Sequence, residues 1–180
     1  MRITKVTTRV GDKGFTNLGS NETVSKANIV IQVLGDLDEL SSSLGLIIVL
    51  TKDNIFRKKI KNVQNELFNL GGEISLGSES KDLLDKDSLI VLDKDIEAIN
   101  KNLPPLKEFI LPGENEISAR LHFARAICRR SERSLVMMMQ TNKHKQIWIK
   151  YLNRLSDYLF VLARKLVSDE GLHEDMWEKK

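Results

Sequence analysis

Three arginines, Arg125, Arg129 and Arg133, recur at intervals of four residues. At 100° per residue an α-helix places them within about 80° of one another. Ser118 and His122 fall on the same arc, and an apolar seam centres roughly 130° away. Guanidiniums on one stripe repel unless an anion or an acidic partner sits among them. The guanidinium fork also matches phosphate oxygens two at a time. Glu132 stands at the border of the stripe, where it can orient one of these cations. The plain alternative is a solvated basic face with local ion pairs.

A second candidate is the run Thr8-Arg9-Val10-Gly11-Asp12-Lys13-Gly14-Phe15-Thr16. Glycines let backbone N–H groups approach a phosphate, and hydroxyls and basic side chains add donors. The run is not a Walker A loop, because G-x-x-x-x-G-K-[ST] is absent. Taken alone, a G-x-x-G stretch is more often a plain turn. Asn153, Asp157 and Asp38 are offset from the apolar seams of their segments, so they face solvent or a neighbouring subunit. Other features carry less. Arg57-Lys58-Lys59-Ile60-Lys61 lacks interleaved aromatics and reads as a solvated helix face. Glu170-x-x-His173 occurs once, whereas a helical di-metal site needs the pair twice. The Met137-Met138-Met139 run reads as core filler, and Cys128, on the apolar seam, as a buried and inert thiol.

These residues need elements to hold them, and the periodicity is helical. Val30, Val33, Leu37, Leu40, Leu44 and Ile47 predict a first helix from about Lys26. Ile60, Val63, Leu67 and Leu70 predict a second from Asn54 to about Leu70, ending near Gly71-Gly72. Residues 73–88 read as a polar loop. A shorter helix follows from Asp93 to about Leu103, stopped by Pro104-Pro105. Phe109 to Gly113 is an apolar segment ending in a turn. A fourth helix over about Glu114–Met139 carries the seam Ile117, Leu121, Ala124, Cys128, Ser131, Leu135 and Met138. A fifth over about Gln146–Val167 carries Trp148, Leu152, Leu155, Leu159, Leu162 and Leu166. No stretch alternates convincingly enough to predict a strand. The fold expected is all-α, a single up-and-down five-helix bundle.

Composition agrees with a folded single domain. The chain has 180 residues, 41% of them hydrophobic, and only 3 prolines. A formal net charge of +3 is too small to predict nucleic-acid or membrane binding. The single cysteine excludes an intrachain disulfide and fits a reducing compartment. The first residues form no apolar signal segment. The longest apolar stretch, Leu44 to Leu50, is far short of the roughly 20 residues a spanning helix needs. A cytoplasmic protein is expected.

The motifs also occur together in one known family. Thr8-Arg9-x-Gly11-Asp12-x-Gly14-x-Thr16, followed by Val24-Ser25-Lys26, resembles the N-terminal ATP loop of PduO-type ATP:cob(I)alamin adenosyltransferases. Gly35-x-x-Asp38-Glu39-Leu40 is similar to the family's first-helix motif. Phe109-Ile110-Leu111-Pro112-Gly113 with Arg125-x-x-Cys128-Arg129-Arg130-x-Glu132-Arg133 resembles its central signature. Tyr151-Leu152-Asn153-Arg154-Leu155-Ser156-Asp157 resembles its last-helix motif. The chain departs from the pattern after Lys26, where Ala27-Asn28-Ile29-Val30 replaces acidic residues and an arginine. Leu34 stands where an aromatic is common.

The resemblance implies transfer of the 5′-deoxyadenosyl group of ATP to the cobalt of cob(I)alamin, with release of triphosphate. It implies a cobalamin adenosyltransferase-like (ferritin-like) bundle over residues 1–180. Within it, 1–25 would be the ATP loop, 26–168 the bundle and 169–180 a tail. It further implies a homotrimer with active sites between adjacent subunits, Mg²⁺ accompanying ATP, and an electron donor that reduces cob(II)alamin. ATP binding maps to Thr8, Arg9, Gly11, Asp12, Gly14, Thr16, Asn17, Lys26, Arg129, Glu132, Arg133 and Asn153. Asp38 and Arg125 correspond to an intersubunit ion pair on the corrinoid side, and Phe109 to the aromatic that displaces the lower axial ligand. Arg129, Phe109, Asp38 and Arg125 are thus the expected catalytic group. An ATP-binding regulatory bundle without transferase activity, and a basic adaptor for acidic partners, are the competing readings.

Overall fold

The computed structural model describes residues 7, 9–77, 82–141 and 145–179. Thr8 lies outside the described residues. A 3-10 turn, Val10–Lys13, leads into a small antiparallel hairpin of β1 (Phe15–Asn17) and β2 (Thr23–Ser25). Five helices follow: α1 (Ile29–Leu50), α2 (Asn54–Leu76), α3 (Lys86–Asn100), α4 (Glu116–Thr141) and α5 (Gln146–Asp169). Packing runs in the order α2, α1, α4, α5, α3. The five-helix bundle is therefore as expected, and the hairpin corrects the expectation of no strands. Three-residue strands are too short to show a period of two.

Side-chain caps set the helix starts. Asn28 accepts from the Val30 N–H at 2.9 Å, so α1 begins at Ile29 rather than at Lys26. Asp53 and Asp85 cap α2 and α3 in the same way. Asp85 thus moves the start of α3 seven residues ahead of the expected Asp93. Asn115 receives the Ser118 N–H at 2.7 Å at the head of α4. The α2 helix runs through Gly71 and Gly72 instead of ending there. A Cβ on Gly72 would sit 3.2 Å from Leu83 Cδ1, so glycine there eases close packing, whereas one on Gly71 would make only an ordinary contact, 3.5 Å from Leu34 Cδ2. Glu73, buried just beyond them, accepts from the Leu83 and Leu84 N–H groups at 2.6 and 2.7 Å and from Trp148 Nε1 at 2.6 Å. That carboxylate staples the segment after α2 to the head of α5. The helix stops at Gly77, whose φ of 58° suits glycine.

The core is the predicted set of seams. Leu37, Leu40, Leu44, Ile47, Ile60, Leu67, Leu70, Leu121, Leu135, Met138, Trp148, Leu152 and Leu159 are all buried. Each such side chain contributes about 1.5–3 kcal/mol by leaving water. Met138 is core as expected, but Met137 is exposed. Residues 169–179 are more than a tail: Ile110 pairs with Met176 in an antiparallel bridge that docks the C-terminus on the segment before α4.

Candidate active site

The expected site residues fall into two groups on the chain. The first is the N-terminal turn. Arg9 adopts φ 60° and Gly14 φ 81°, so left-handed residues flank Val10–Lys13 on both sides. The Lys26 N–H donates to the Gly14 carbonyl at 2.9 Å and folds the end of β2 back onto the turn. A Cβ on Gly11 would lie 2.8 Å from Lys26 Nζ, so glycine there lets the ammonium rest against the backbone. Thr16 is half-buried in β1, and Asn17 accepts from Thr23 Oγ1 at 2.9 Å. The hairpin is tied to the end of α2 by Gly19 N–H to Ser75 Oγ at 2.7 Å. Arg9, Asp12 and Lys13 are exposed around the turn, and Lys26 is exposed although its ammonium lies against Gly11.

The second group lies on α4 and α5. Arg130 pairs with Glu39, and with Asp36 at 3.7 Å, which fixes α4 to α1. Ser134 Oγ adds a 2.6 Å bond to Asp36. Arg120 pairs with Glu116 one turn away. Arg125, Arg129 and Arg133 form no salt bridge among the described residues. Arg133 only donates to the Arg129 carbonyl at 3.0 Å. The local ion pairs that would make this a plain solvated face thus go to the neighbouring cations and leave the stripe uncompensated. Glu132 accepts from Asn153 Nδ2 at 3.3 Å and joins α4 to α5 beside the stripe. Arg154 pairs with Asp93 at 2.5 Å and with Asp157 at 3.7 Å, and Asn153 and Asp157 are exposed.

Beside Arg125 and Arg129 opens a cavity of about 600 Å³. Phe109, Ile110, His122, Asp157 and Phe160 complete much of its wall. Phe109 is 75% exposed, an unusual position for a phenyl ring without a partner to cover it. Its backbone is nonetheless held on the C-terminal segment. The Leu111 N–H donates to the Asp175 carbonyl at 2.8 Å, and the Trp177 N–H to the Phe109 carbonyl at 2.7 Å. The Trp177 ring lies 6.4 Å from that of Phe109. Buried Arg164 anchors this strap through a bidentate pair with Glu174, starting at 2.9 Å, and donates to the Pro104 carbonyl at 2.8 Å. Arg125 lies over the Phe160 ring at 5.7 Å. Burial first, and the Arg129 charge second, hold the Arg125 guanidinium below its ordinary pKa.

Asp38 sits elsewhere, exposed on α1 beside a groove lined by Leu34, Leu37, Phe68 and Gly71. Among the described residues no hydrogen bond or ion pair joins the N-terminal group, or Asp38, to the α4–α5 group. Cys128 is buried and donates to the Leu152 carbonyl at 3.3 Å; burial pushes its thiol far above the ordinary range, which suits the inert role expected. Phe160, Glu73, Trp177 and the Arg164–Glu174 pair escaped the sequence reading. Arg164 left one signal, a cation on the core face of an otherwise apolar helix.

Comparison with known proteins gives one answer throughout. The family profile for cobalamin adenosyltransferase matches residues 6–166. A cobalamin adenosyltransferase of Cupriavidus metallidurans is 40% identical over 99% of this chain and 97% of its own length. The human corrinoid adenosyltransferase MMAB is 36% identical over 99% of this chain and 75% of its own. A variant of the PduO-type ATP:corrinoid adenosyltransferase of Lactobacillus reuteri, solved with cobalamin and ATP, superposes with a TM-score of 0.91 at 28% identity. That match covers 97% of this chain and 100% of the other.

Proposed function

This chain belongs to the cobalamin adenosyltransferase family, and from that membership we infer that it is an ATP:corrinoid adenosyltransferase. It transfers the 5′-deoxyadenosyl group of ATP to the cobalt of cob(I)alamin and releases triphosphate. The main support is the arginine stripe: three cations of α4 lacking a carboxylate partner among the described residues, two of which, Arg125 and Arg129, line a cavity walled in part by aromatic rings. A stripe of that kind suits a polyanion, and a cavity of that kind suits a flat, largely apolar macrocycle.

The substrate supplies the nucleophile, since cob(I)alamin is itself strongly nucleophilic. Its cobalt lone pair attacks the 5′-carbon of ATP. The carbon–oxygen bond to the triphosphate breaks, and its electron pair leaves with that oxygen. No side chain need act as nucleophile or base. The protein must hold cobalt, carbon and leaving oxygen in line and meet the charge that grows on the triphosphate. Arg129, Arg133, Lys26 and the Gly11–Gly14 turn take that charge, with Arg9, Asp12, Thr16, Asn17, Glu132 and Asn153 positioning the nucleotide. Thr8 belongs with them by motif. Mg²⁺ travels on the ATP phosphates; among the described residues no group of three or more His, Cys, Asp or Glu is placed to hold a metal.

The separation of the N-terminal group from the α4–α5 group supports a site completed by a second copy. In this reading the chain is a homotrimer. The turn at residues 9–26 of one subunit faces Arg129 and Arg133 of the next, and Asp38 meets Arg125 across the same boundary. Isologous dimers cannot supply such a head-to-tail contact, whereas a cyclic trimer closes it. Phe109 then presses on the lower face of the corrinoid and excludes its axial ligand and water. That makes cob(II)alamin easier to reduce by an electron donor of low potential. No helix among the described residues is long and apolar enough to cross a membrane, and the single cysteine suits a reducing cytoplasm.

The test is direct. The protein is incubated with MgATP and chemically reduced cobalamin, and the absorption spectrum is followed. Conversion to adenosylcobalamin at a catalytic rate is expected. Saturable ATP binding without conversion would leave only a regulatory nucleotide-binding bundle.

A further inference from the structure

His122 lines the 600 Å³ cavity but is only 5% exposed, and its Nδ1 is buried with no hydrogen-bond partner. One turn earlier on the same arc, the fully buried Ser118 Oγ is also unpaired. An unsatisfied buried polar atom costs about 1–3 kcal/mol, and at His122, on the cavity wall, that calls for a ligand that satisfies it. The setting narrows its chemistry. The imidazole stands edge-on to the Phe160 ring, centroids 5.9 Å apart, with the Arg125 guanidinium over the same ring. A second cation is therefore disfavoured at His122, and the neutral ring is left to donate or accept one hydrogen bond. Phosphate would be better served by Arg129 and Arg133. A neutral carboxamide, which both donates and accepts, matches a neutral imidazole. A corrin ring carries such groups along its edge.

We propose that His122 is a binding subsite for a peripheral carboxamide of the corrinoid, and so sets which corrinoids the enzyme accepts. The assignment rests on the transferase reading above. Competing roles make different demands. A proton relay has no step to serve, because the transfer moves no proton. Axial ligation of cobalt by the imidazole would oppose the reduction that Phe109 promotes.

The experiment compares two corrinoids in the adenosylation assay: cobinamide, which keeps its side-chain amides, and heptamethyl cobyrinate, whose esters have lost every N–H. In the wild type, KM for the ester is expected about tenfold above that for cobinamide, the loss of roughly one well-placed hydrogen bond. His122→Phe should raise KM for cobinamide about tenfold while leaving KM for the ester and for ATP unchanged. The two changes then fail to add, as coupled partners do. His122→Gln, which keeps an amide in the wall, should recover most of the difference. Should His122→Phe fail to fold, the wild-type comparison and the Gln variant still decide. Equal effects of His122→Phe on both corrinoids, or none on either, overturn the assignment. So does nitrogen superhyperfine coupling in the EPR spectrum of enzyme-bound cob(II)inamide, because that would make His122 a cobalt ligand. If the wild type adenosylates neither corrinoid nor cobalamin, the transferase reading itself falls, and this subsite with it.

Discussion

At the scale of single residues, four arginines within nine positions take different fates. Arg130 is neutralised by Glu39 and Asp36 of α1, while Arg125, Arg129 and Arg133 keep their charge for something else. The spacing of the stripe is legible in the sequence. Which cation is neutralised is not, because Glu39 lies 91 residues from Arg130 and only packing brings them together. Removing one donor to a developing oxyanion typically costs roughly 3–4 kcal/mol. Arg129→Ala is accordingly expected to lose about 10²–10³ in turnover with an unchanged circular dichroism spectrum; near-normal turnover would remove Arg129 from the site. His122 carries a pH signature. Burial first, and Arg125 second, lower its pKa, against the opposing pull of Glu114 and Glu174. Its folded value therefore lies below the unfolded value of about 6.5. The neutral ring favours the fold above that pH, and the contribution is lost as pH falls through the folded value. Urea midpoints measured from about pH 7 down to pH 5 should fall more steeply for the wild type than for His122→Gln. Parallel slopes would show that His122 titrates as it does in the unfolded chain.

At the scale of elements, the helices were readable and their ends were not. Steps of three and four residues mark the seams of α1, α2, α4 and α5, but Asp85 starts α3 early, and α2 runs on through two glycines, of which Gly72 leaves room for Leu83. The strap was hidden for another reason. Residues 172–179 carry no periodicity, and their order comes from bonds to Phe109, Leu111 and Arg164. Glu174→Ala strands a buried guanidinium, a loss of the order of 3–5 kcal/mol for such pairs. The loss should fall on the strap, seen as faster hydrogen exchange at the Leu111 and Trp177 amides with the α4 core amides still protected. Unchanged exchange at those two amides would mean that the strap is held by other contacts. Phe109 itself supplies a wedge with little packing of its own. Phe109→Ala is expected to slow adenosylation from cob(II)alamin far more than it weakens ATP binding. The reverse pattern would make Phe109 part of the nucleotide site.

At the scale of the whole molecule, the proposed site residues fall into two separate groups on one chain. The motifs named both groups, but a linear sequence cannot say whether they meet within a subunit or between subunits. The fold speaks to that. The N-terminal turn is tied to Ser75 at the end of α2, one end of the helix packing order, whereas the arginine stripe lies on α4, two helices along that order. The departures after Lys26 have a local account: Asn28 caps α1, and Leu34 fills the groove against Gly71. Neither removes a side chain from the proposed nucleotide group. The arrangement can be checked by subunit complementation. Lys26→Ala and Arg129→Ala, each inactive alone, are unfolded together, refolded as a mixture, and assayed for adenosylcobalamin from ATP and reduced cobalamin. In a cyclic trimer every mixed assembly contains one boundary where an intact turn meets an intact stripe. A random mixture should therefore recover about a quarter of wild-type activity. A mixture that assembles into trimers yet stays as inactive as its parents would contradict a site shared between subunits.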